Sequence, residues 1–237
     1  MDNGVLGANK EYIQQTKVYG KKDAILSFVI FGIVIGSMFL LRQLLKYRVL
    51  GSSTRSVFIA SGAVSLFLIG IVMLFCFLRK QKAKTIGFSI TEMKQSFYTG
   101  AVGFTVILVL KWLTKISSKQ RILEGVTKES FVMNVVYLLV FVALMEEVVF
   151  RGYIATRLYG FYKNKWLSIV TVSIMSAIIH IPMYSMRLQI SMWNYSVTHI
   201  DYLIKIALCH CFFQWIFSKN NSIIAPIMIH FMIDFPI

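Results

Sequence analysis

Two adjacent glutamates, Glu146 and Glu147, lie inside an apolar stretch of the chain, and Arg151 follows four residues after the second. Burying an ionisable side chain in a membrane-spanning helix costs on the order of 2.5–3.5 kcal/mol even on lenient insertion scales. Two such side chains in one stretch therefore indicate a function. In an α-helix Glu147 and Arg151 share a face and can pair, whereas Glu146 is turned roughly 100° away from Glu147.

Two histidines and an aspartate extend this set. His230 and Asp234 are four residues apart and share a helix face. A polar turn near Lys163 is the midpoint between Glu146 and His180, so an antiparallel helix pair would hold both at one depth, roughly 25 Å from the turn. His230 follows the last short loop by about ten residues and would lie roughly 15 Å deep. We therefore expect Glu146, His180 and His230 to converge on one cavity.

The elements that position these residues are predicted to be membrane-spanning helices. Of 237 residues, 57% are hydrophobic and 15% are charged, which is more apolar than a typical soluble domain. Three uncharged runs are long enough to cross a bilayer, and four shorter ones can do so with flanking charges. These runs are 24–41, 56–78 and 166–186, then 95–110, 130–145, 206–218 and 220–233. We predict an all-α, polytopic transmembrane helix bundle of about seven spans, with the catalytic cavity within the membrane.

The ionisable residues divide the chain into three parts. Residues 1–23 are polar and are predicted to be an N-terminal cytosolic tail. Residues 24–129 are predicted to form three accessory transmembrane helices, and 130–237 the catalytic transmembrane domain, because the intramembrane ionisable residues lie between Glu146 and Asp234. With the N-terminus inside, thirteen basic residues face the cytosol and ten face outward, so the loop charges favour this orientation by a small margin.

The net charge of +15 does not indicate a nucleic-acid partner. Basic residues in short loops beside membrane spans are the ordinary topology signal, and no phosphate-binding loop or RNA-binding aromatic pattern occurs. The cysteines lie in apolar runs, and their odd number argues against a disulfide framework. In Cys209-His210-Cys211 the three side chains would point in different directions from a helix. We interpret them as packing residues.

In this order and spacing the ionisable residues resemble the CAAX protease and bacteriocin-processing (CPBP, or Abi) family of intramembrane proteases. The pattern of that family is EExxxR, then FxxxH, then HxxxN/D. This chain has Glu146-Glu147-x-x-x-Arg151, then His180, then His230-x-x-x-Asp234. The resemblance covers about 130–234. The phenylalanine of the second motif is replaced by Ser176, which affects the expected shape of the pocket more than its chemistry.

The resemblance implies a polytopic intramembrane endopeptidase in which water attacks the peptide bond directly. Glu146 would be the general base, and His180 would orient or activate the water. His230 and Asp234 would polarise the scissile carbonyl and stabilise the oxyanion. Asp234 can donate only when protonated; otherwise it would orient His230 by accepting its other N–H.

Glu147 and Arg151 are expected to support the site structurally. No cofactor is required by this scheme, although zinc is a possible alternative. Glu146, His180 and His230 would then supply three ligands and leave one position for water. Because the H-E-x-x-H signature is absent, we favour the metal-free reading.

The implied partners are a membrane-associated peptide or protein substrate and the lipid bilayer. The short, lysine- and isoleucine-rich chain resembles bacterial members of the family, which implies a multi-pass protein of the bacterial cytoplasmic membrane acting in peptide maturation or bacteriocin self-immunity. Two alternatives remain open. The chain could be a non-catalytic immunity or scaffold protein that retains the fold, or a proton-coupled transporter component that uses Glu146 and Glu147. The repeat symmetry expected of a transporter is not visible.

Overall fold

The computed structural model describes residues 7–49, 53–118 and 127–236. Residues 1–6 of the predicted tail and 119–126 of the predicted accessory region lie outside these ranges. Within them the elements are helices joined by turns, without strands. The all-α prediction is confirmed.

The α-helices are α1 (Lys10–Thr16), α2 (Lys21–Lys46), α3 (Thr54–Leu78), α4 (Ile90–Ser117), α5 (Lys128–Val136), α6 (Thr156–Tyr162), α7 (Lys165–Arg187), α8 (Met192–Thr198), α9 (Ile200–Asn220) and α10 (Ile224–Asp234). A 3-10 helix, Ala83–Ile86, precedes α4. Two π-helical segments, Tyr137–Leu144 and Glu147–Ala155, connect α5 to α6. We call the resulting continuous apolar helix, Ser130–Tyr162, the central helix.

Six helical segments among the described residues are long and apolar enough to cross a membrane. They are α2, α3, Ala83–Ser117, the central helix, α7 and α9. The seventh apolar helix, α10, has 11 residues and is roughly 16 Å long, too short to cross the roughly 30 Å hydrocarbon layer alone. Six of the predicted runs lie within these six segments, and α10 covers most of the seventh, 220–233.

The outward faces of the helices are apolar. On α4, for example, Val102, Val106 and Leu113 are exposed. A soluble monomer rarely exposes such a continuous apolar face, whereas lipid covers it in a membrane. The protein is therefore a multi-pass membrane protein.

The chain reverses direction between α6 and α7, at the midpoint predicted from Glu146 and His180. Lys163 ends α6 in the left-handed region, with φ 54°. Asn164 caps α7, because its side-chain oxygen accepts from the N–H of Leu167 at 3.1 Å. This hairpin places the central helix antiparallel to α7.

The helix α1 closes the end of the bundle at which this hairpin turns. Tyr12 is 1% exposed, and its ring packs against Tyr159 and Phe217, with centroids 5.3 and 5.7 Å away. Gln15 donates to the side-chain oxygen of Asn221 at 2.6 Å, in the turn between α9 and α10. The second half of the predicted tail is therefore a helix docked on the bundle, and it covers the α9–α10 turn.

Small residues bring α4 and α10 close together. A Cβ placed on Gly100 would lie 2.9 Å from the Cα of Ala225, and one on Gly103 would lie 2.5 Å from Cδ1 of Ile229. Glycines at such positions let two helix backbones approach closely in a membrane. The contact fixes α10, which carries His230, against a helix that spans the membrane.

Candidate active site

Glu146 lies between the two π-helical segments of the central helix. Long π-helical stretches are rare, and π-type turns occur frequently at functional sites. The carbonyl of Phe141, in the first segment, accepts from the hydroxyl of Ser65 at 2.6 Å, which ties the segment to α3. The sequence predicts a regular α-helix here. The structure differs because the spacing of apolar residues does not distinguish the i→i+5 hydrogen bonds of a π-helix from those of an α-helix.

Glu147 and Arg151 are fully buried and form the predicted pair. Arg151 Nε lies 3.3 Å from Glu147 Oε2, although the two atoms are not aligned as a hydrogen bond. The other oxygen of Glu147 accepts from His230 Nδ1 at 2.9 Å. Glu147 therefore also links the central helix to α10, a contact that the sequence analysis did not predict.

His180 faces Glu146 from α7. Its Nδ1 lies 2.8 Å from the carbonyl oxygen of Ser176. A carbonyl only accepts, so Nδ1 carries the proton, and in the neutral ring Nε2 holds a lone pair. This Nε2 lies 3.9 Å from Glu146 Oε1. Ser176, which replaces the phenylalanine of the family pattern, thus orients the histidine through its backbone.

His210, which the sequence analysis interpreted as a packing residue, lies in the centre of the site. Its ring centroid is 5.8 Å from that of His180 and 5.9 Å from that of His230. Its Nδ1 contacts the guanidinium of Arg151, and its Nε2 lies 3.8 Å from Glu146 Oε2. The packing interpretation is therefore wrong for His210, because its ring lies between the guanidinium of Arg151 and the buried carboxylate of Glu146.

A signal for His210 was present in the sequence. The midpoint between His210 and His230 is residue 220, at the polar turn that joins α9 to α10. An antiparallel helix pair about this turn would place His210 level with His230, as the turn at Lys163 does for Glu146 and His180.

His230 is held between two carboxylates. Nδ1 donates to Glu147, and Nε2 lies 3.3 Å from Asp234 Oδ2. Each carboxylate accepts, so the geometry fits a ring protonated at both nitrogens. Lys111 of α4 donates to the backbone oxygens of Ile233 and Phe235 at 2.6 and 2.8 Å, which caps α10 beside Asp234.

The four ionisable groups open onto one cavity of about 720 Å³. Glu146, His180, His210 and His230 lie on its wall. Most of the remaining lining is apolar, with contributions from α2, α3, the central helix, α7, α9 and α10. The lining extends to Arg187, at the end of α7 opposite to the hairpin that α1 covers.

The zinc alternative requires three protein ligands around one point. Among the described residues, the group whose potential ligand atoms lie within 4.8 Å of one another is Glu146, His180 and His210, not the predicted Glu146, His180 and His230. His230 directs both ring nitrogens at carboxylates. His210 Nδ1 accepts from Arg151, a group without acceptor capacity, so the proton of the neutral ring lies on Nε2. Two lone-pair donors remain, fewer than the three protein ligands of a catalytic zinc.

A comparison with known protein families gives a match in the second half of the chain. Residues 128–236 match the family model described as type II CAAX prenyl endopeptidase Rce1-like. Over these residues the chain is similar to the CAAX protease family. No curated protein and no solved structure matches the chain.

The CAAX protease segment contains all the predicted site residues from Glu146 to Asp234. The resemblance stated from the three motifs is confirmed. The family match supports intramembrane proteolysis in general and a peptide substrate in a membrane.

Proposed function

We propose that the protein is an intramembrane endopeptidase that hydrolyses a peptide bond of a membrane-associated peptide or protein with water activated by Glu146 and His180. One observation carries the proposal. Glu146 Oε1 and the lone-pair nitrogen of His180 face each other across 3.9 Å on the wall of a largely apolar cavity. One water molecule between these two acceptors can donate a hydrogen bond to each of them.

The attack can be written with these two groups. Water donates one hydrogen bond to Glu146 Oε1 and the other to His180 Nε2. As its oxygen bonds to the scissile carbonyl carbon, a proton passes to Glu146. Collapse of the tetrahedral intermediate breaks the carbon–nitrogen bond, and Glu146 returns the proton to the departing amine.

His230 supplies the positive group for the oxyanion. Its Nδ1–H is occupied by Glu147 at 2.9 Å, whereas its Nε2–H meets Asp234 at the looser distance of 3.3 Å. The Asp234 side chain is 37% exposed and can turn aside. The substrate carbonyl would then accept from Nε2–H, a hydrogen bond that strengthens as negative charge develops. Asp234 serves in this scheme to orient His230.

The scheme requires no metal. Its proton acceptor is a carboxylate, and its oxyanion donor is a histidine that carries protons on both nitrogens. We therefore propose a metal-independent reaction in which Glu147 and Arg151 support the site. The proposed setting is peptide maturation or bacteriocin self-immunity in the bacterial cytoplasmic membrane, in keeping with the composition of the chain.

The test is cleavage of a membrane peptide library by purified protein in detergent, with products identified by mass spectrometry. Wild-type protein should yield defined products, and Glu146→Gln should reduce the rate by about 10²–10⁴-fold without changing thermal stability. Asp201→Asn, on the exposed start of α9, is the matched control and should leave the rate unchanged. Cleavage by E146Q at the wild-type rate would refute the assignment, as a non-catalytic scaffold predicts.

A further inference from the structure

His210 belongs to no motif of the proposed reaction, yet it is 3% exposed and lies between His180 and His230. Burying a polar ring has a free-energy cost unless its nitrogens find partners. Both nitrogens of His210 face charged groups of the first motif. The site therefore contains a third histidine to which the proposed reaction assigns no role.

The position of its proton follows from its partner. The guanidinium of Arg151 has five N–H donors and no acceptor. His210 Nδ1 must accept from it, so the neutral ring carries its proton on Nε2. That Nε2–H lies 3.8 Å from Glu146 Oε2.

The orientation of Glu146 gives a second, independent observation. Its Oε2 is buried and has no hydrogen-bond partner among the residues that the structure describes. Buried polar atoms are almost always hydrogen-bonded, and His210 Nε2–H is a donor that faces this oxygen. The separation exceeds a hydrogen bond, but such contacts in substrate-free sites are often long and tighten when substrate binds.

We propose that His210 is a positioning residue, a neutral donor that holds Glu146 Oε2 and leaves Oε1 directed at the attacking water. The inference rests on the proposed function of Glu146 as general base. Arg151 fixes the tautomer of His210, and His210 fixes the carboxylate. The fully buried charge of Arg151 thus acts on the base through the imidazole.

Two substitutions separate this role from packing. His210→Asn keeps an oxygen near the position of Nδ1, which can accept from Arg151, but is too short to reach Glu146. His210→Gln places an N–H donor near the position of Nε2. His199→Gln, on a histidine outside the cavity, is the matched control.

The measurements are kcat, KM and thermal stability of each purified variant in detergent. We expect H210N to lower kcat by about 10²-fold, the cost typical of a misplaced reacting group, with KM nearly unchanged because substrate binding is retained. H210Q should be at least about tenfold faster than H210N, and H199Q should match the wild type.

Three results distinguish the positioning role of His210 from the proposed function of the protein. If H210N keeps the wild-type kcat, or if H210Q is as slow as H210N at equal stability, the inference is refuted while cleavage that depends on Glu146 still supports the proposed function. If wild-type protein cleaves no membrane peptide, the proposed function itself fails. Slow H210N with restored H210Q, at equal stability, supports His210 as the donor.

Discussion

Glu146 and Glu147 are adjacent in the sequence but have different surroundings. Glu147 is fully buried between Arg151 and His230, with both oxygens near positive groups. Glu146 faces two histidines at 3.8 and 3.9 Å and opens onto the cavity. The tight partners of Glu147 hold its carboxylate in place, whereas the carboxylate of Glu146 is accessible from the cavity. The proposed division of roles between base and support rests on this difference.

Arg151→Ala tests the supporting role. Removing one partner of a buried ion pair typically costs about 3–5 kcal/mol, because the other charge stays buried. Glu147 keeps His230, so we expect about 3 kcal/mol, the lower end of that range. The variant should show a reduced protein level, a lower unfolding temperature and little activity.

Lys22→Ala, on the exposed start of α2, is the control for R151A and should change none of these properties. R151A at the wild-type level with an unchanged unfolding temperature would contradict the structural role of the pair.

At the scale of elements, the sequence predicts the helices better than it predicts their details. Hydrophobic runs specify which segments enter the membrane because lipid demands helices with apolar surfaces. The docking of α1 was not predictable in this way, since a short polar segment shows no such run. Tyr12 becomes buried only because the turn between α9 and α10 and the ring of Tyr159 offer a matching surface.

The docked α1 also explains how a short helix reaches the site. Asn221 and Ser222, in the turn before α10, are fully buried, so the turn is recessed behind α1. About two turns of α10 then suffice to bring His230 beside Glu147.

Gly160→Ala tests this arrangement. A Cβ at Gly160 would collide with the backbone oxygen of Thr16 and approach Cβ of Tyr19 to 2.8 Å. A backbone atom cannot turn aside, so α1 must shift, at a cost of about 1–3 kcal/mol. We expect a lower unfolding temperature, faster proteolysis within α1 and reduced turnover.

Gly36→Ala is the matched control, because nothing lies within 4 Å of a Cβ at Gly36 outside its own helix backbone. It should leave stability equal or slightly raised, since alanine favours a helix. If G160A retains the proteolytic pattern and stability of G36A, the docking of α1 contributes nothing to the fold.

At the scale of the whole molecule, the lining of the cavity reaches Arg187, at the end of α7 opposite to the hairpin that α1 covers. The loop charges favour an inside N-terminus by thirteen basic residues to ten, so we expect substrate to enter from the outer side.

Cysteine labelling in intact cells tests the orientation. In a background with Cys76, Cys209 and Cys211 replaced, Arg187→Cys should react with a membrane-impermeant maleimide. Lys22→Cys, at the opposite end, should react only after the membrane is permeabilised. The reverse pattern would place the mouth of the cavity in the cytosol.

The last prediction concerns metal and depends on where protons lie across the whole site. Arg151 assigns the proton of His210 to Nε2, and the two carboxylates beside His230 fit protons on both of its nitrogens. Of the three residues whose potential ligand atoms lie together, Glu146 and His180 offer lone pairs, too few for a catalytic zinc centre. We therefore expect the rate of peptide cleavage to survive exhaustive chelation, and elemental analysis to find far less than one zinc per chain. His180→Ala serves as the control for metal loss, since it should abolish activity without changing the metal content. Stoichiometric zinc that is lost and restored together with activity would overturn the assignment, and would require His210 to give up its contact with Arg151.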